Sequence, residues 1–170
     1  MALTQAYQPL RFVRAQQEQG NWCWAAVSFA VSRFFNPQTG WTQCKIATDE
    51  LRKPCCANAV ACNEYWYLDR ALTRIGNYVD FVSGRTTLQN LNQIINVEKR
   101  PLCIRIAWQN GGAHFVTITG IDPNGMLYVA DPHYGDSRRA YSTFPNVYEG
   151  GGGTWTHCFF TKPVSQPLLA

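Results

Sequence analysis

Residues 22–35, WCWAAVSFAVSRFF, constrain the fold more than any other part of the chain. Eleven of them are apolar, and Ser28, Ser32 and Arg33 are the exceptions. A helix here places polar residues at 28, 32 and 36, four apart, so only a narrow stripe is hydrophilic. The rest of its surface must be covered by protein, which makes it a central helix that ends before Pro37. Its first turn carries Cys23 between two tryptophans, directly after the polar run QQEQGN at 16–21. The position of that thiol is the feature that needs explaining.

At 170 residues, with 46% hydrophobic and 15% charged residues, the chain is about one domain long and globular. Six Trp, eight Tyr and nine Phe supply a densely packed core or an aromatic-lined groove. The net charge of +4 is dispersed over pairs such as Arg52-Lys53, Lys99-Arg100 and Arg138-Arg139. No basic stripe tracks a phosphate backbone, so no nucleic-acid partner is expected. No run reaches the roughly 18 apolar residues of a membrane span, and the N-terminus lacks the charged start and apolar core of a secretory signal.

Four of the seven cysteines, Cys44, Cys55, Cys56 and Cys62, share one stretch, CKIATDELRKPCCANAVAC. Adjacent Cys55 and Cys56 do not readily give two tetrahedral ligands, and the stretch contains no histidine, so no metal site is expected. Disulfides are the leading reading, with Cys44 joined to one of the vicinal pair and Cys62 to the other. That pairing implies an oxidising destination. Reduced thiols in a packed loop are the alternative. Cys103 and Cys158 lie in apolar strand-like runs and pack as small hydrophobes or bridge to each other.

Two more helices are predicted, over 62–76 ending at Gly76 and over 86–100 opening on a threonine cap and ending at Pro101. The periodicity then shifts towards two, giving strands over 102–108, 113–121, 125–131, 138–144 and 154–161, with a turn at Asp122-Pro123-Asn124-Gly125. Helices followed by an antiparallel sheet make an α+β fold.

A protonated thiol is a weak nucleophile, and a helix N-terminus favours its anion through free N–H groups and aligned peptide dipoles. Cys23 occupies such a place. Nucleophilic catalysis also needs a base, and the chain has three histidines. His133 lies in the turn DPHYGD, and His157 lies inside a strand. His114 follows Asn110-Gly111-Gly112-Ala113 at the head of a strand, where glycines let a substrate approach the backbone. Folding strand 113–121 back on 125–131 brings Asp131 near His114, where it can orient the imidazole. Viewed singly, Asp131 is equally a turn cap.

The blocks QEQGNWCWAAV, GGAHFVTITGI and YVADPHYG resemble papain-like cysteine peptidases of the bacterial kind. They look most like the AvrRpt2-like group, which is related to C39-type peptidase domains. The resemblance runs in order over about residues 8–162, and the region of Cys55, Cys56, Cys62 and Asn63 also looks like that group. It implies a papain-like fold in a single domain over 1–170, with a helical part at about 16–100 and a sheet part at about 101–162. It implies Cys23 as nucleophile, His114 as general base and acid, and Asp131 as the residue that orients His114. A glutamine six residues before the nucleophile helps form the oxyanion hole in such enzymes, which points to Gln17, with the Cys23 N–H as second donor.

The expected activity is cysteine endopeptidase action on a protein or peptide substrate, without cofactor, by a bacterial effector or toxin domain. It would be secreted or delivered into a target cell by a specialised secretion system. Only some twenty residues precede Cys23, so control is expected from delivery, from a neutralising partner or from removal of a longer precursor. Papain itself has asparagine where this chain has Asp131, while aspartate is usual in the bacterial branch. Two other readings use the same residues: an acyl transferase resembling transglutaminases, and a non-catalytic papain-like binding module. Trp24, Trp41, Trp108, Gln109 and Tyr134 are candidates to line the substrate groove.

Overall fold

The structure is a computed structural model that describes residues 5–166. Its centre is α1 (Cys23–Phe35), followed by α2 (Gln43–Leu51) and α3 (Leu68–Arg74). Strand β1 (Tyr78–Ser83) precedes α4 (Leu88–Leu91), which runs into a π-helical turn over Asn92–Val97. Strands β2 (Leu102–Trp108), β3 (Ala113–Ile121), β4 (Met126–Asp131), β5 (Gly135–Ala140) and β6 (Gly153–Thr161) complete the chain. They form one antiparallel sheet in the order β1-β6-β2-β3-β4-β5. This mixture of helices and antiparallel sheet is the expected α+β class.

Apolar side chains are buried in two main clusters. One joins Trp22, Trp24, Val27 and Val31 of α1 and its approach to Ile46, Leu68 and Leu72 of α2 and α3, and to Cys103, Phe115 and Phe159 of the sheet. The other joins Ile104, Ile106, Val116, Ile118 and Val129 to Leu91, Ile95, Phe144, Tyr148 and Trp155. The alternation of β2 and β3 sends neighbouring residues into different clusters, as the pleat requires.

Two of the three polar positions in the hydrophilic stripe expected on α1 are not solvated. Ser28 and Ser32 are buried. The Ser28 hydroxyl donates to the Trp24 carbonyl at 2.8 Å, and Ser32 shares a hydrogen bond with Thr39 at 2.6 Å. Both hydroxyls find protein partners, so polarity did not require water.

The helix expected over 62–76 shrinks to Leu68–Arg74. The Cys62 and Glu64 carbonyls accept the indole N–H groups of Trp22 and Trp24, and Cys62 is disulfide-bonded to Cys55, which holds this stretch open. The C-terminus does end as expected: Gly76 adopts φ 81°, with Gly76 N–H bonded to Thr73 and Asn77 N–H to Leu72. The helix over 86–100 divides into α4 and the π turn, with Thr87 accepting from the Asn90 N–H at its start.

Strand β1 lies inside the part expected to be helical and pairs with β6 at the sheet edge. Val79, Phe81 and Val82 are all exposed, so no alternation marked it. The strand expected over 138–144 instead spans Gly135–Ala140, because the chain turns after Ala140 and its carbonyl takes the Thr143 and Phe144 N–H groups.

The glycine run 150–153 is a tight crossing. Gly152 has φ 65°, and a Cβ there would lie 1.9 Å from the Asn146 carbonyl oxygen. Gly152→Ala is therefore expected to lower stability by at least about 2 kcal/mol in urea unfolding, from backbone strain and the clash together. Gly40→Ala, with nothing within 4 Å, is expected to stay within about 0.5 kcal/mol. Equal effects at the two positions would contradict the crossing as described.

Candidate active site

Cys23 is the first residue of α1, and no side chain caps that helix start. The Trp22 N–H bonds to Gln19 and the Ala26 N–H to Trp22, and among the described residues nothing accepts the Cys23 N–H. The thiol is free and 5% exposed. His114, second residue of β3, is also buried, and it lines the same cleft as Cys23. One side of the imidazole is fixed: Nε2 donates to Asp131 Oδ1 at 2.8 Å. That leaves Nδ1 for the sulfur.

Asp131 ends β4 and is fully buried. Its Oδ1 also accepts the His133 N–H at 2.7 Å and the Tyr134 N–H at 2.9 Å, and its Oδ2 accepts the Tyr148 hydroxyl at 2.7 Å. Turn cap and imidazole acceptor are thus one arrangement. The register places Thr117 opposite Ala130, with an irregularity between Ile118 and Gly120. Continued by one residue, this pairing sets Asp131 opposite Val116, two residues along β3 from His114.

Burial opposes a charged His114, but the hydrogen bond and charge of Asp131, together with the Cys23 sulfur in the same cleft, outweigh it and push the imidazole up to about 9. Burial likewise opposes the Asp131 carboxylate. The hydrogen bond and charge of His114, then the Tyr148 hydroxyl and the Tyr134 N–H, hold it below its ordinary value. Tyr148 is pushed up, by burial first and by Asp131 next, so it remains a donor. Burial pushes Cys103 up to about 12 and also raises Cys158, which suits inert packing, and the two do not bridge.

Gln17 reaches the same cleft, but its amide is occupied. Nε2 donates to the Gly20 carbonyl at 2.7 Å and the Gln19 carbonyl at 3.1 Å, while Oε1 is buried without a partner. The backbone N–H of Gln17 bonds to the Pro132 carbonyl at 2.9 Å, beside Asp131.

The cleft, about 200 Å³, lies between the α1 approach (Gln17, Asn21, Cys23) and the sheet side (Trp108, His114, Tyr134). Gly111 and Gly112, with φ 95° and 79°, form a bare rim where an added Cβ would meet nothing. Trp108 stacks on His114 with ring centroids 5.8 Å apart, and Tyr148 stacks with Trp108, 6.1 Å between centroids. A larger cleft of about 480 Å³ beside β4 and β5 holds no cysteine or histidine.

Of the groove candidates, Trp108 and Tyr134 line the cleft, while Trp24 is sealed in the core and Trp41 packs against it. Gln109 is not part of the lining; its N–H bonds to the Gly152 carbonyl. Sequence reasoning missed Tyr148, which is 17 residues from Asp131, and Tyr65, whose side of the cleft was read as helix. His157 packs on β6 against Phe81 and Phe159, away from the site. The disulfides pair Cys44 with Cys56 and Cys55 with Cys62, within the pairing expected. Among the described residues no cluster of ligating side chains could hold a metal ion, and no helix is long and apolar enough to cross a membrane.

Because His114 is raised from 6.5 to about 9, its pairing stabilises the fold fully below about pH 6.5 and that contribution is lost as pH rises through about 9. Asp131, lowered from 3.8, contributes above that value and loses its share as pH falls through its lower folded value. Asp131→Asn is expected to move the His114 titration down from about 9 towards 6.5, read by NMR of the imidazole C–H. An unmoved titration would contradict the pairing.

The model of the family described as papain-like cysteine protease AvrRpt2 matches residues 7–149. No curated protein matches the chain in sequence. Among solved structures, a double glycine motif protease from an AMS/PCAT transporter, in complex with its leader peptide, is similar. It is 19% identical with a TM-score of 0.51, over 94% of this chain and 100% of that one. The peptidase domain of Streptococcus mutans ComA matches at 15% identity and TM-score 0.48, over 88% and 98% of the two chains. The Pseudomonas avirulence protein AvrPphB matches at 12% identity and TM-score 0.41, over 89% and 97%. The fold is of the papain-like peptidase type, and the chain belongs to the AvrRpt2 family of papain-like cysteine proteases.

Proposed function

We propose that this cysteine protease is an endopeptidase acting on a specific protein substrate, with Cys23 as nucleophile, His114 as base and acid, and Asp131 orienting His114. The observation that carries the reading is His114 bonded to Asp131 in the same cleft that Cys23 lines. The sulfur gives its proton to Nδ1 and attacks the scissile carbonyl carbon. A C–S bond forms, and the carbonyl oxygen takes the negative charge. The Cys23 N–H stands free to bind that oxygen. The Gln17 amide adds a second donor by exchanging its longer contact, the one to Gln19, for the oxyanion.

The tetrahedral species then collapses. The C–N bond breaks, the imidazolium proton goes to the leaving amine, and a thioester remains. Water, deprotonated by His114, attacks the thioester, releasing the acid and restoring the thiol. Asp131 keeps Nε2 protonated throughout and stabilises the imidazolium. Trp108 covers one face of the ring and limits water access there.

An extended peptide suits a cleft whose rim is bare glycine backbone. The similar double glycine motif protease is solved with a leader peptide, which supports a peptide substrate here. Two disulfides suit an oxidising destination, in keeping with a bacterial effector or toxin domain that is secreted or delivered into a target cell. Control by delivery or by a neutralising protein completes this reading.

The test is a proteome-wide map of new N-termini after adding the native chain or its Cys23→Ala form. Termini produced by the native chain alone are expected, and Gln17→Ala is expected to cut kcat by about 10²–10³. Identical maps from the native and Cys23→Ala chains would refute the endopeptidase reading.

A further inference from the structure

The segment that carries both oxyanion donors is gripped from two directions by residues the mechanism has not used. Gln43, first residue of α2, is 3% exposed and straddles Gln17. Its Nε2 donates to the Gln16 carbonyl at 2.7 Å, and its Oε1 accepts the Glu18 N–H at 3.0 Å. Asn63 grips the segment's other end. Its Oδ1 accepts the Asn21 N–H at 2.8 Å, and its carbonyl accepts Asn21 Nδ2 at 3.1 Å. The residues on either side of Asn63 continue this grip: the Cys62 carbonyl takes the Trp22 indole N–H at 2.7 Å, and the Glu64 carbonyl takes that of Trp24 at 3.0 Å. Those two tryptophans flank Cys23.

The two grips end on one covalent brace. Gln43 precedes Cys44, which is bonded to Cys56. Asn63 follows Cys62, which is bonded to Cys55. Cys55 and Cys56 are adjacent, so a single peptide unit joins the clamp on Gln17 to the clamp on Asn21. Any pairing of these four cysteines would restrict the unfolded chain. This pairing also fixes the spacing between the two sides of the oxyanion hole, which must be held to about 0.5 Å for catalysis.

We propose that Gln43 and Asn63 are positioning residues that set the Gln17 amide and the Cys23 N–H around the oxyanion, with the two disulfides as the brace between them. The proposal rests on the assignment of those two donors above. Neither residue bonds to Cys23 Sγ, His114 or Asp131, so the thiol–imidazole pair is left alone when a clamp is removed. A loosened hole loses transition-state binding while ground-state binding survives, which lowers kcat and spares KM.

The test uses Asn63→Ala, at an exposed position that leaves folding intact, and Gln43→Met, which keeps the buried volume and removes both hydrogen bonds. Three quantities are measured on the full chain. They are kcat and KM for a peptide cut by the native protein, affinity for a tripeptide aldehyde, and the iodoacetamide alkylation rate of Cys23 against pH. The aldehyde forms a tetrahedral adduct whose oxygen sits in the hole, whereas alkylation makes no such oxygen. A fall of about 10–100-fold in kcat is expected, with KM within about twofold, a parallel loss of aldehyde affinity and an unchanged alkylation profile. Unchanged kcat and aldehyde affinity in both variants would overturn the proposal. So would alkylation falling in step with kcat, since the clamps would then hold the nucleophile or the fold as a whole. The aldehyde arm needs no cognate substrate, so the clamps are judged separately from the endopeptidase reading. Asn63→Ala decides alone if Gln43→Met does not fold.

Discussion

A buried imidazole bonded to a buried carboxylate, in one cleft with a helix-borne thiol, sets the terms for the rest of the molecule. His114 can keep a proton in a buried place only because Asp131 is charged beside it, and Asp131 is charged there only because four donors converge on it. Those donors come from β3, from the turn after β4 and from the short helical turn at Tyr148. The sheet therefore has to carry three separate segments to one point. The sulfur comes from the opposite side, at the end of a helix that the core holds by its tryptophans and alanines.

This division of labour follows the physics of each group. In the proposed mechanism, the side that stabilises the oxyanion is built from a helix start and a polar approach, where backbone N–H groups are free. The side to which that mechanism gives the proton is built from strands, whose register fixes side chains against each other more firmly than a loop does. Aromatic rings line the sheet side, with Trp108 stacked on the imidazole, Tyr134 edge-on to it and Tyr148 stacked with Trp108. Tyr148 serves twice, because its hydroxyl also bonds the carboxylate.

Much of this was legible in the residues. The apolar run after Gly20-Asn21 marked a central helix with a thiol at its start, and alternation over 113–121 and 125–131 marked the hairpin that joins His114 to Asp131. The pairing of the vicinal cysteines was legible only to the point of which two regions they link. What failed to show did so for local reasons. Strand β1 is exposed on both faces and so has no alternation. Residues 62–67 carry helical spacing, but two indoles and a disulfide claim their backbone. Ser28 and Ser32 look solvated until their partners in the fold are known. Tyr148 and Gln43 act through contacts far apart in the chain, which no spacing rule reaches.

The whole scheme depends on one proton being shared between Cys23 and His114, and alkylation by iodoacetamide reports on it directly. The rate at Cys23 should be measured across pH 5–10 in the native chain and in His114→Ala. Native Cys23 is expected to react at neutral pH about tenfold or more faster than in the variant, with an inflection near pH 9 where His114 loses its proton. Equal rates in the two chains at neutral pH would mean that the imidazole does nothing for the sulfur, and the catalytic assignment would fall.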